Sequence, residues 1–351
     1  MLLNKMRTTS LRCRTAAGIL RLGYLALLAG CFIAPHIGLP STPRIWQPQG
    51  VTGDKRTIKV DVALVTVPVI VTDAKGNHVP GLKETDFHIY ENDLAQKIDR
   101  LIPATEPFHI ALVLDRSGST KFKYEDIQSA ALAFVGALRP QDRFLIVSFD
   151  TKVTYHSEFT NDRSQLRAAI LQTYSSGSRT GLYDAIKTVM TERLDPLPGR
   201  KAMVLFTDGV DNDSEQMDAG RTLALIEKSD VLGYAIQYDT RNDGMPDRFP
   251  LPASQRPVSF DTLYKRAGKY LRDLSSRSGG RLFQAETLES LQEAFSQIAE
   301  ELPRQYTLCY YPAQPARTGS FRRIRVTVDK PGAKVRARSG YRADAQITPG
   351  K

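Results

Sequence analysis

Three side chains within five residues, Asp115, Ser117 and Ser119 of HIALVLDRSGST (His109–Thr120), offer one carboxylate and two hydroxyls at D-x-S-x-S spacing. Carboxylate and hydroxyl oxygens are hard donors that suit Mg²⁺, Mn²⁺ or Ca²⁺ rather than zinc or copper. The same residue types are favoured helix N-caps, so any one of them taken alone reads as a cap before it reads as a ligand. What positions them is legible on both sides. Ile110–Leu114 is a short continuous apolar run, the pattern of a strand buried on both faces of a parallel sheet. After the polar loop, Ile127, Ala130, Ala131, Phe134, Val135 and Leu138 recur with helical period. The trio therefore lies on a strand-to-helix loop at the carboxyl end of a sheet, where open α/β folds place their ligands.

The elements beyond that loop continue the alternation. Arg143–Phe149, Lys201–Phe206, Val231–Tyr238 and Gly280–Gln284 read as strands, with Val153–Phe159 an antiparallel neighbour of the first. Ser164–Leu171 and Leu182–Arg193 read as helices, a helix precedes each of the last two strands, and Leu288–Leu302 forms a final amphipathic one. Alternating β and α elements imply a mostly parallel sheet wrapped by helices. Before this unit, residues 58–73 are rich in β-branched residues, and Pro68 inside them points to an edge strand or a break. Phe87–Asn92 and Gln96–Ile102 follow as strands. After the unit come Tyr306–Tyr311, Arg323–Val328 and Lys334–Arg338. β segments on both sides of one α/β unit predict a single small sandwich into which that unit is inserted.

The D-x-S-x-S loop resembles the metal-ion-dependent adhesion site of von Willebrand factor type A domains. That family needs a threonine on a later loop, matched by Thr180 in SGSRTGLYDAI, and a second aspartate after a central strand, matched by Asp208 in KAMVLFTDG. The resemblance implies that Ser117, Ser119 and Thr180 bind the metal directly, Mg²⁺ or else Mn²⁺ or Ca²⁺. Asp115 and Asp208 would act through bridging waters, leaving one position for an Asp or Glu of a protein partner. Val69–Glu91, VIVTDAKGNHVPGLKETDFHIYE, and the closing Arg338-Ser339-Gly340-Tyr341-Arg342 resemble a bacterial group of these proteins with flanking β segments. The expected fold is a Rossmann-like α/β domain at 106–302, inserted in or flanked by a small Ig-like β-sandwich made of 57–105 and 303–345. Residues 40–56 would be a linker and 346–351 a tail.

The chain has 351 residues and a net charge of +10, which raises nucleic acid as a partner. Half of that excess is the leader's Lys5, Arg7, Arg12, Arg14 and Arg21, and residues 1–30 hold no acid, so no nucleic-acid role is expected. Residues 1–39 read as a signal peptide or a membrane or lipid anchor, with Leu28-Ala29-Gly30-Cys31 matching a lipobox that would lipidate Cys31. The expected location is outside the cytoplasm: periplasm, membrane-anchored or cell surface. Past the leader only Cys309 remains, so neither an internal disulfide nor a cysteine zinc site can form there.

There is no G-x-x-x-x-G-K-[ST], G-x-G-x-x-G or G-x-S-x-G, and His88, His109 and His156 are isolated, so no enzyme is expected. The leading reading is a metal-dependent adhesion or protein-binding module. The alternatives are an assembly or chaperone-type subunit of a larger complex and, last, a metal-dependent hydrolase. A long proline-rich loop, 239–261, leaves the same sheet edge as the metal loop, and its Asp239, Arg241, Asp243 and Arg248 are candidate partner contacts. Arg116 reads as a solvated loop residue, Asp184 as a helix-dipole partner, and Asp211, Asn212 and Asp213 as exposed loop polars. The basic tail (Arg322, Arg323, Arg325, Lys330, Lys334, Arg336, Arg338, Arg342) reads as a solvated strand face, with an anionic envelope surface as its alternative partner.

Overall fold

The computed structural model describes residues 64–102, 104–117, 124–137, 139–174, 179–238, 260–314 and 317–343. Residues 1–63 with Cys31, the loop 239–259 with its four candidate contacts, Ser119 and the tail 346–351 lie outside the described residues.

The first strands are β1 (Val65–Thr72), β2 (Phe87–Glu91), β3 (Leu94–Gln96) and β4 (Ile98–Ile102). The β2–β3 turn runs through Asn92 and Asp93, both at positive φ, the residue types that after glycine best tolerate it in a tight hairpin. The α/β unit then follows as β5 (Phe108–Asp115), α1 (Tyr124–Ala137), β6 (Arg143–Phe149), β7 (Val153–Tyr155), α2 (Arg163–Gln172) and α3 (Leu182–Val189). It ends with β8 (Arg200–Thr207), α4 (Ala219–Lys228), β9 (Leu232–Tyr238), α5 (Phe260–Ser278), β10 (Leu282–Ala285) and α6 (Leu288–Glu301). Four strands close the chain: β11 (Tyr306–Tyr310), β12 (Phe321–Val328), β13 (Lys334–Ala337) and β14 (Gly340–Arg342).

Six strands form the central sheet in the order β10-β9-β8-β5-β6-β7, parallel except for β7, which runs antiparallel beside β6. Its two faces pack separate apolar clusters. Phe134, Phe144, Phe206 and Phe295 lie on one face, under α1, α2 and α6. Leu145, Val147 and Leu205 point to the other face, where Ile186 of α3 and Leu271 and Leu274 of α5 cover them. The remaining strands form two antiparallel sheets, β13-β1-β11-β4 and β14-β12-β2-β3, that enclose a third core with Val67, Phe87, Ile89, Leu308 and Ile324. Segments from before and after the α/β unit interleave here: β1 lies between β13 and β11, and β2 between β12 and β3.

Pro68 neither ends nor breaks its strand. It pairs with Thr307 on β11 inside β1, while β13 pairs only with Val69–Thr72. On the β13 side, β1 is thus locally an edge at the proline, which is where a residue without an N–H is tolerated. The basic tail is also not uniformly solvated. Arg322 and Arg338 are buried, and Arg336 and Arg342 are engaged by Glu301 and Glu227. Cys309 is buried, as a packed strand thiol should be.

Candidate functional site

Parallel pairing brings three strand ends to one edge. Leu114 lies opposite Phe206 on β8, and Asp115 opposite Phe149 on β6. Each of these strands is an apolar run ended by an aspartate, Asp115, Asp150 and Asp208, so three carboxylates arrive at the same edge.

Asp115 is fully buried and is gripped from both sides: the Ser117 N–H donates to Oδ1 at 2.9 Å and the Thr207 hydroxyl to Oδ2 at 2.6 Å. Burial first, and the charge of Asp208 second, raise its pKa to about 7. Asp208, also buried, turns Oδ1 to the Val210 N–H at 2.8 Å, and its carbonyl accepts from Gln237 at 3.1 Å. Gly209 follows at φ +83°, and a Cβ there would stand 2.8 Å from Leu271 Cδ1, so this turn needs glycine.

Thr180 reaches the same edge through backbone bonds. The Gly181 N–H donates to the Asp150 carbonyl at 2.7 Å, the Thr180 N–H to Asn212 Oδ1 at 2.8 Å, and the Thr180 carbonyl accepts from the Asn212 and Asp213 N–H groups. Of the five expected ligands the structure thus gathers Asp115, Ser117, Thr180 and Asp208, each no more than 4% exposed. No three His, Cys, Asp or Glu side chains converge as a metal cluster among the described residues. A cation here would need the hydroxyls. The donor set fits one: every side-chain donor is a hard oxygen, and a divalent charge would offset the two carboxylates that burial crowds together.

Three roles differ from the sequence expectations. Arg116 is not a solvated loop residue; it is mostly buried and bridges Asp150 at 2.8 Å, since a carboxylate this deep needs a partner. Asp184 accepts from the Glu215, Gln216 and Met217 N–H groups, so it holds the loop after β8 instead of only meeting a helix dipole. Asp211 is partly buried, and burial raises its pKa; it accepts from the Tyr183 N–H and the Ser214 hydroxyl and so ties that loop to α3. Sequence reasoning misses Thr207 and Asp150. The shared signature of an apolar run ending in Asp, visible in VSFD as in LVLD and LFTD, would find Asp150. The histidines stay dispersed: His109 packs edge-on against Phe159, His88 meets Asp329, and His156 bonds the buried Ser148.

The raised pKa of Asp115 gives a first prediction. An unfolded Asp titrates near 4. The metal-free fold holds the proton more tightly, so this contribution is complete below about pH 4 and is lost as pH rises toward 7. In chelator, the melting temperature of the native chain is expected to fall across that window relative to Asp115→Asn. Parallel melting curves of the two proteins would cancel the assignment.

A model of the von Willebrand factor type A domain matches residues 109–297. A comparison with curated proteins gives no match. Among solved structures, a von Willebrand factor type A protein from Catenulispora acidiphila is 14% identical, with a TM-score of 0.46 over 74% of this chain and 73% of that one. Proximal thread matrix protein 1 from the mussel byssus is 15% identical (TM-score 0.45, 60% of this chain and 49% of that one). The vWF domain of the type V pili tip protein Mfa5 from Porphyromonas gingivalis is 13% identical (TM-score 0.41, 55% and 94%). The family model covers more than half of the 351 residues, and the chain belongs to the von Willebrand factor type A domain family.

Proposed function

We propose that this chain is a non-enzymatic, divalent-metal-dependent protein-binding module that acts outside the cytoplasm, in the periplasm, on a membrane anchor or at the cell surface. The observation that carries this reading is the gathering of Asp115, Ser117, Thr180 and Asp208 at one sheet edge of a von Willebrand factor type A domain. Ser117 and Thr180, with Ser119, would supply neutral ligands to the metal, and Asp115 and Asp208 would add carboxylate charge beside it. Mg²⁺, or Mn²⁺ or Ca²⁺ in its place, would supply an under-neutralised positive centre that attracts an Asp or Glu of the partner. The Thr207 hydroxyl and the Ser117 N–H fix the rotamer of Asp115, and Asn212 fixes the Thr180 backbone, so the donors are set before a partner arrives.

The attachment to a membrane rests on residues 1–39. Among the described residues, no helix is long and apolar enough to cross a membrane.

Thermal unfolding of the full chain with EDTA, Mg²⁺, Mn²⁺ or Ca²⁺ tests the site. At about a hundred times its dissociation constant a metal is expected to stabilise the native chain by about 2.7 kcal/mol. Ser117→Ala is expected to lose that shift, each protein being compared with its own melting temperature in EDTA. A metal shift that survives in the variant, or none with any of the three ions, would reject the reading.

A further inference from the structure

A second constellation lies away from the metal edge. In the β1–β13 register Ile70 pairs with Arg336 and Thr72 with Lys334. Val69, Val71, Val335 and Ala337 enter the sandwich core, so the first four side chains share the opposite face. Facing them are the C-terminal half of α5 and the start of β10, and a cleft of about 770 Å³ lies between. A volume of this order is that of small-ligand sites. The start of β10 belongs to the amino ends of the parallel strands, the end of the sheet opposite Asp115.

The cleft's charge is one-sided. Arg272, Arg281, Lys334 and Arg336 line it, against a single acid, Glu301. Glu301 is already engaged by Arg336 and by the Tyr234 hydroxyl at 2.5 Å. Among the described residues, Arg272, Arg281 and Lys334 have no carboxylate within ion-pair distance, and Arg281 lies over the Phe283 ring at 4.6 Å. Ser275 also lines the cleft; it is 1% exposed and its hydroxyl has no hydrogen-bond partner among the described residues. Three exposed cations thus converge on one concavity, and the buried hydroxyl beside them lacks an acceptor among the described residues.

We propose that this cleft binds a phosphate-bearing ligand. Arg272, Arg281 and Lys334 would meet the phosphate oxygens and Ser275 would donate one hydrogen bond. A phosphate monoester brings nearly two negative charges and three acceptor oxygens. The arginine fork matches that geometry in two parallel bonds, whereas one carboxylate would leave most of these donors unused. A soluble phosphorylated compound and a lipid headgroup present the same group to these donors.

Calorimetric titration of the full chain with pyrophosphate, in EDTA and at fixed ionic strength, tests this directly. Saturable binding is expected, weakened at least tenfold by Arg272→Ala combined with Arg281→Ala and by Lys334→Ala alone. These exposed side chains can be removed without touching a core. Arg323→Ala, on the other sheet and paired with Asp93, and Ser117→Ala, at the metal edge, should leave binding unchanged. Absence of saturation, equal weakening by Arg323→Ala, or equally tight binding of citrate would overturn the proposal. Displacement of pyrophosphate by anionic phospholipid vesicles but not by phosphatidylcholine vesicles would identify a headgroup; displacement by neither would identify a soluble ligand.

Discussion

Replacing Glu91 by alanine is expected to destabilise the chain by about 3–5 kcal/mol, the cost of stranding the other half of a buried ion pair. Glu91 ends β2 and is 3% exposed. One of its oxygens accepts from Arg322 on the neighbouring β12, itself buried. The other accepts from the Tyr310 hydroxyl at 2.7 Å and the Tyr341 hydroxyl at 2.9 Å. Tyr310 stands on β11, in the opposite sheet, so one carboxylate ties both layers of the sandwich together. Burial, with the carboxylate beside them, pushes both phenols well above the ordinary tyrosine range. They therefore stay donors at any physiological pH. Alanine leaves a guanidinium and two hydroxyls without this acceptor in a dry core, and each loss adds to the next. Glu91→Leu combined with Arg322→Met should recover part of the loss, because it removes the charges together but leaves the Tyr310 and Tyr341 hydroxyls without their acceptor. Urea unfolding of the three proteins measures the difference. A single-variant loss below about 1 kcal/mol would mean that water reaches the pair, since exposed pairs are worth that little.

The same pair marks the limit of what the sequence discloses. Strand and helix positions in the α/β unit are legible because buried parallel strands read as unbroken apolar runs, and their ends show where polar residues begin. That is how Asp115 and Ser117 can be placed on a strand-to-helix loop at the sheet edge from residue types and spacing, whereas Thr180 and Asp208 are picked out only by the resemblance to the type A domain's site. Thr207 is invisible by the same logic: it looks like the last residue of a strand, and only the register beside β5 turns its hydroxyl to Asp115. Arg116 and Asp150 lie 34 positions apart and meet only because β5 and β6 are neighbours. In the β segments, alternation places Arg322 on a face whose burial depends on which sheet covers it. The charge therefore suggests solvent where the fold supplies Glu91. Pro68 misleads for a related reason, since whether a strand is an edge at one residue is a property of its neighbour's length.

Arg200→Met is expected to cost about 2–5 kcal/mol, because it strips the donor from two buried carbonyls, each costing about 1–3 kcal/mol when unpaired, and from two part-buried ones. Arg200 opens β8 and is 3% exposed. One guanidinium nitrogen donates to the Ala104 and Glu106 carbonyls at 2.8 and 3.0 Å, and the other to Leu302 and Gln305 at 3.0 Å each. Those carbonyls belong to the two crossings between sandwich and α/β unit, β4 to β5 and α6 to β11. The plane also covers the Phe108 ring at 4.0 Å. Burial lowers its pKa only to about 10, so the charge persists at neutral pH. Arg139 also donates to Ala104 and Glu106, so the crossing after α6 should suffer most. Arg200→Lys keeps the charge but not the fork, and should recover less than half of the loss. The sheet edge that carries Asp115 and Asp208 lies at the other end of β8, seven residues on, roughly 23 Å away at about 3.3 Å per residue. Sites that far apart contribute additively. Urea unfolding of Arg200→Met should therefore show the full loss with and without Mg²⁺, and the metal shift itself should be unchanged. A metal shift that shrinks in Arg200→Met would show instead that β8 transmits the state of the crossings to Asp208.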